Sequence, residues 1–177
     1  MIVRSIDALR YKHMGEPLHV VGSGPSLAHL QASDMPHGVV LAINLAIVKV
    51  EKLMLSNVVY SLQKDQCFAD CASPIIVHEP ESGQIDGFGD YLFDCERDFG
   101  IPPITPSVVV ALHLARWMGC ESVVYHCCDS FRGDFRSFDG AEVTLDQRMY
   151  HYMQHPAMVE RAALDLLMPW SYAPCAS

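Results

Sequence analysis

Short apolar runs, each closed abruptly by a small or polar residue, set the rhythm of this chain. Leu18-His19-Val20-Val21 breaks into Gly22-Ser23-Gly24-Pro25. Val39-Val40-Leu41-Ala42-Ile43 ends in Asn44, and Asn57-Val58-Val59-Tyr60-Ser61-Leu62 is followed by Asp65. Pro74-Ile75-Ile76-Val77-His78 runs into the acidic stretch that begins at Glu79. Runs this short, β-branched and mostly without polar alternation predict strands buried on both faces, as in a parallel sheet.

Helical spacing fills the intervals. Ser26-Leu27-Ala28-His29-Leu30 starts a helix that Pro36 and Gly38 stop, and Leu45 to Val48 predicts another. Ser107 to Met118 is an apolar helix, with Thr105 as its N-cap, Pro106 at the first helical position and Gly119 just past its end. Glu121 to Asp129 then reads as a strand ending in Asp129. Val143 to Leu167 is largely helical with an interruption at His155-Pro156, and Pro169 to Cys175 is extended chain docking on the domain. Residues 1 to about 16 form a polar lead-in with one short helix through Ile6, Leu9 and Arg10. Residues 79–100 are a polar stretch that serves as a lid, an insertion or a disordered loop, with Tyr91-Leu92-Phe93 as a short extra strand. The expected fold is α/β: a single Rossmann-like domain over residues 1–177, with a mostly parallel sheet and helices on both faces, closed by a C-terminal loop and helices over 130–177.

Composition narrows the partners. Half of the 177 residues are hydrophobic and 19% are charged, which suits one domain with a true core. The formal net charge of −9 argues against a broad electrostatic grip on nucleic acid. No apolar run is long enough to span a bilayer, and Met1 to Asp7 lacks the build of a signal peptide. Seven cysteines, with Cys127 and Cys128 adjacent, make a poor disulfide framework. A cytoplasmic protein is expected, and a homo-oligomer is compatible with the sequence.

The candidate chemistry lies where strands end. A strand, a Gly-rich turn and a helix start offer free N–H groups to an anion, so Gly22, Ser23, Gly24, Pro25 and Ser26 form a candidate phosphate cradle. Its spacing is neither the dinucleotide fingerprint nor a P-loop. Asn44 either reads a base or ribose edge or caps the helix after it. Asp65 holds a hydroxyl or a metal ion, or is a solvated loop acid. Thr105 and Ser107 offer hydroxyls at a second helix start, and Asp129 a carboxylate beside them. Arg132 and Arg136, set among aromatic residues, clamp a phosphate or pair with local acids. His151 and His155 are four apart and share a face on a continuous helix. They are candidates for a catalytic acid or base, against the plainer reading of surface histidines, and too few ligands accompany them for a metal site.

With these residues in view, Val20 to Leu27, Ala42-Ile43-Asn44 and Tyr60 to Asp65 resemble the MptE-like family (domain of unknown function 115). Thr105-Pro106-Ser107-Val108, Met118-Gly119-Cys120 and Cys128-Asp129 resemble its second half. The same layout is similar to that of small bacterial sialyltransferases that use CMP-sialic acid. The resemblance covers about residues 18 to 131 and implies a nucleotide or nucleotide-sugar as partner. Asn44 matches the second Asn of the sialyltransferases, whereas Ser23 stands where they tend to carry Asn. Glycosyl transfer from a CMP-activated sugar, with His151 or His155 as acid or base and no cofactor, is the leading expectation. A 6-hydroxymethylpterin-type diphosphokinase, with Asp65 and Asp129 helping to bind magnesium and ATP, is the alternative. A non-catalytic nucleotide-binding accessory protein is the third.

Overall fold

The computed structural model describes residues 4–63, 71–78, 89–103, 105–134 and 155–173. Eight strands form one sheet in which every pairing is parallel: β1 (Arg4–Ser5), β2 (Pro17–Val21), β3 (Val39–Ile43), β4 (Val58–Gln63), β5 (Ile75–His78), β6 (Tyr91–Phe93), β7 (Ser122–His126) and β8 (Trp170–Ala173). The spatial order is β1-β6-β5-β4-β3-β2-β7-β8. The expected α/β architecture is therefore present. The extended tail is a true strand, β8, paired to β7 from Val123↔Trp170 to His126↔Ala173.

Alternation along the central strands shows two covered faces. Leu18, Val20, Val39, Leu41 and Ile43 share one apolar cluster with α2 (Ser107–Met118) and α3 (His155–Leu166). Val21, Val40 and Ala42 share the other with α1 (Ala46–Lys52) and with Leu27, Leu30 and Met35. Chain direction explains the division. From β2 to β4 the sheet grows one way and the connections lie on the α1 face. From β2 through β7 to β8 it grows the other way, and α2 and α3 lie on the opposite face. Right-handed crossovers require that exchange. The reversal falls between β2 and β7, and open α/β sheets bind their ligands beyond the strands' carboxyl ends at such a switch point.

Three local expectations are corrected. The segment after the Gly loop is a five-residue 3-10 turn, Pro25–His29, followed by a second at Ala32–Asp34, and is not one helix. Gly24 caps it without a side-chain hydrogen bond. β7 stops at His126, and Asp129 opens a 3-10 turn, Asp129–Arg132, instead of ending the strand. Thr105 does not cap α2, because its hydroxyl turns back to donate to the Pro102 carbonyl at 2.6 Å, and Pro106 stands at the cap. Pro156 lies in the first turn of α3, where the missing N–H is tolerated.

The lead-in buries more than its polar composition suggests. Ile6 and Leu9 enter the core from the 3-10 turn Ile6–Leu9. The N–H groups of Tyr11, His13 and Gly15 then donate to the carbonyls of Trp117, Met118 and Gly119. They satisfy the C-terminal acceptors that a helix leaves over. Buried His13 fixes the strap further. Its Nδ1–H donates to Glu16 at 3.1 Å, and its Nε2 lies 3.1 Å from the Tyr60 hydroxyl. Gly119, at φ 82, makes the turn as expected of a C′ glycine, with Met14 packed where a Cβ would go. Replacing Gly119 by Ala should cost about 1–2 kcal/mol from the left-handed backbone alone. Urea unfolding should show this as a lower midpoint at unchanged slope.

Candidate functional site

The backbone around the switch point is drawn unusually close. The Gly22 N–H donates to the His126 carbonyl at 2.9 Å and the Gly24 N–H to the Cys127 carbonyl at 3.0 Å, so the loop continues the pairing of β2 with β7 past both strand ends. A Cβ on Gly22 would stand 2.8 Å from the Cys127 oxygen and from Cys128 Sγ, and one on Gly24 would meet the Asp129 carboxylate. The two glycines are needed for chain-to-chain approach.

Asp129 occupies the position that the Gly-loop pattern suggests for a ligand anion. Its Oδ2 accepts from the Ser26 N–H and its Oδ1 from the Ser26 hydroxyl, both at 2.8 Å. The Tyr172 hydroxyl of β8 donates to Oδ1 at 3.3 Å. Burial pushes the Tyr172 phenol up, and the Asp129 charge adds to the shift. The Leu27 N–H is also taken, by the Gly24 carbonyl. Of the expected cradle, Ser23 alone is left half-buried with no partner among the described residues, while Ser26 is committed to Asp129.

Asn44 stands one strand away. It follows β3 with φ 51, a left-handed conformation that Asn tolerates better than most residues. Its N–H donates to the Leu62 carbonyl at 2.9 Å, and its side-chain Oδ1 is buried with no partner among the described residues. It does not cap α1: Leu45 takes the cap position, with no side-chain hydrogen bond. Cys127, directly after β7, is likewise left-handed at φ 54. Strained residues thus flank the Gly loop on both neighbouring strands, an arrangement found at binding sites more often than elsewhere. Gln63, at the end of β4, is a site residue that the strand pattern did not single out. Its Oε1 is a second buried oxygen without a partner among the described residues. A buried unpaired carbonyl costs about 1–3 kcal/mol. The only hint in the sequence was an amide at the end of an apolar strand.

The remaining candidates divide. Thr105 is buried, with its hydroxyl engaged, and Ser107 opens α2 behind Pro106, which makes no side-chain cap hydrogen bond. Arg132 lies 5.3 Å from the Tyr172 ring centroid, stacked on the aromatic group of Phe131, Trp170 and Tyr172. His155 is buried in the first turn of α3. Asp65, Arg136 and His151 lie outside the described residues. Among the described residues no group of three or more His, Cys, Asp or Glu side chains could hold a metal ion. Within them, too, no helix is long and apolar enough to cross a membrane.

Beneath the loop lies a buried histidine pair. The His19 Nε2–H donates to the His37 carbonyl at 2.8 Å, which leaves His19 Nδ1 to accept from the His126 Nε2–H at 2.9 Å. The arrangement needs His19 neutral, because its Nδ1 must accept, while His126 keeps the donating Nε2–H in either charge state. Burial, with His19 opposite, lowers the His126 pKa from 6.5 to about 4, and burial lowers that of His19 too. His126 supplies the carbonyl that Gly22 uses, so the pair underpins the loop.

No family model, curated protein or solved structure matches the chain.

Two tests follow from this geometry. Ser26→Ala and Asp129→Ala should each destabilise by about 1–3 kcal/mol, and the double variant should lose clearly less than the sum, because one interaction is removed twice. Urea unfolding of the four proteins measures it, and additive losses would show that the contact contributes nothing. For His126 the folded pKa lies below the unfolded one. Between pH 6.5 and 4 the unfolded chain binds a proton that the native state refuses, and stability falls as pH falls through that window. The loss is on the order of 3 kcal/mol, complete near pH 4. His126→Gln should lose correspondingly less stability over the same range, read as urea midpoints at the two ends.

Proposed function

We propose that this chain is a nucleotide-dependent transferase, holding its nucleotide at the crevice between β2 and β7 and moving a glycosyl group from a CMP-activated sugar. The observation that carries the reading is the convergence of half-buried Ser23, the strained Asn44 amide and the N-terminus of α2, whose cap residue Pro106 makes no side-chain hydrogen bond, on the carboxyl side of one parallel sheet. In this reading Asn44 meets the base or ribose, and the α2 N-terminus with Ser107 meets the donor's negative charge. The acceptor hydroxyl attacks the anomeric carbon as its bond to the phosphate oxygen breaks. A histidine, His151 or His155, takes the hydroxyl proton while CMP leaves.

The commitment of Asp129 to Ser26 and Tyr172 supports this over a magnesium-dependent diphosphokinase, which would want that carboxylate for a metal-nucleotide complex. The internal use of the Gly-loop N–H groups favours a second reading, a nucleotide-binding accessory protein without turnover.

Thermal shift with CMP, CDP, ATP and GTP, each with and without magnesium, tests the assignment. A ligand at a hundred times its Kd adds about 2.7 kcal/mol to apparent stability. A metal-independent rise with CMP or CDP is expected. Asn44→Ala should abolish that rise while still unfolding cooperatively near the wild-type temperature. A rise seen only with ATP and magnesium would point to the diphosphokinase, and an unaltered CMP response in Asn44→Ala would place the site elsewhere.

A further inference from the structure

Gln63 closes β4 next to the Asn44 backbone, and its side chain is fully buried. Its Nε2 donates to the Asn44 carbonyl at 3.3 Å and to the Ser61 hydroxyl at 2.5 Å. The Asn44 carbonyl can only accept, and this fixes which end of the Gln63 amide faces it. Turning the amide over would set oxygen against oxygen. Oε1 is therefore the end left over, an unambiguous acceptor without a partner. Asn44 Oδ1 is in the same state, yet its amide has no such anchor and can turn.

We propose that Gln63 is a specificity-determining residue, forming with Asn44 an acceptor subsite for the exocyclic amino group of a nucleobase. The inference rests on the nucleotide reading above and adds which bases are taken. Cytosine and adenine present an amino group where uracil and hypoxanthine present a carbonyl oxygen. An amino group gives Gln63 Oε1 the donor it lacks, whereas an oxygen there leaves two acceptors facing each other. Oε1 is closed to solvent here, so a ligand reaches it only by displacing the atoms that cover it, and a small amino substituent demands less displacement than a sugar or a phosphate. Asn44 can adjust to either kind of base, so the fixed amide of Gln63 sets the preference.

Calorimetric titration of wild type, Gln63→Met and Gln63→Asn with CMP, UMP, AMP and IMP tests this. Met keeps the length and removes the hydrogen bonds, while Asn keeps the amide and withdraws it by one methylene. Wild type should bind the amino member of at least one pair about ten-fold more tightly than its oxo partner, the ratio that one well-made hydrogen bond supplies. Both variants should bind the two members of that pair about equally. A preference that persists in either folded variant would overturn the role of Gln63 and leave the nucleotide reading standing. Equal binding of amino and oxo bases by wild type would do the same, and needs no variant to fold; it would mean that a buried water serves Oε1. Binding of no nucleotide would overturn the nucleotide reading and this inference with it.

Discussion

The carboxylate of Asp129 joins three parts of the sheet. Through Ser26 it holds the turn after β2, through its own backbone it continues from β7, and through Tyr172 it reaches the edge strand β8. The chain brings these parts together only at the switch point, where successive connections leave on opposite faces. Elsewhere a parallel sheet is tied by its ladders and by the helices over it. Beyond the strand ends no ladder remains, and two loops must be held by other means. Here Gly22 and Gly24 let the backbones touch, and Asp129 supplies the acceptor for an N–H and a hydroxyl that would otherwise face the crevice. A buried carboxylate is tolerable only with its hydrogen bonds made, and here three are made.

Next to this well-satisfied centre the structure is poorly satisfied. Asn44 and Gln63 each bury an amide oxygen without a partner, and Asn44 and Cys127 hold left-handed backbone. The His19–His126 pair keeps its hydrogen bonds only while His19 is uncharged. The unpaired amide oxygens do not serve the stability of a sheet whose core is otherwise apolar. The two unpaired oxygens and the left-handed Asn44 and Cys127 gather along the carboxyl ends of β3, β4 and β7. Tyr11, Met54 and Leu167 are left-handed elsewhere, so it is the coincidence of both features at one edge that marks it as a binding edge.

What the sequence makes legible follows how local the determining force is. Val39 to Ile43, Tyr91 to Phe93 and Ser107 to Met118 are read to the residue because apolar runs and end signals such as Gly119 act within a few positions. The Gly-rich stretch is legible as the end of β2, but its use is not. Whether a loop's N–H groups face a ligand or another loop depends on residues about a hundred positions away. The 3-10 form of Pro25–His29 was hidden for a related reason: the turn is held at its start by Asp129, and helical propensity does not decide it. Gln63 escaped because an amide at a strand end looks the same whether its oxygen is paired or not. Thr105 misled because its hydroxyl found the nearer Pro102 carbonyl.

The short turn after the Gly loop also changes where charge can be met. In a βα unit with a full helix, aligned peptide dipoles put positive potential directly at the loop. A five-residue 3-10 turn aligns few dipoles, and the Asp129 carboxylate already sits on its first free N–H. The crevice therefore draws little positive field from the element that usually supplies it, in a chain of net charge −9. The α2 helix is twelve residues long, has Pro106 at its cap with no side-chain hydrogen bond from it, and is locked to β7 by the Tyr125 hydroxyl donating to the Val108 carbonyl at 2.6 Å. If an anionic group is bound at this edge, the stronger dipole lies at α2. The Gly loop then shapes the wall of the crevice, and the charged end of a ligand belongs on the far side of it.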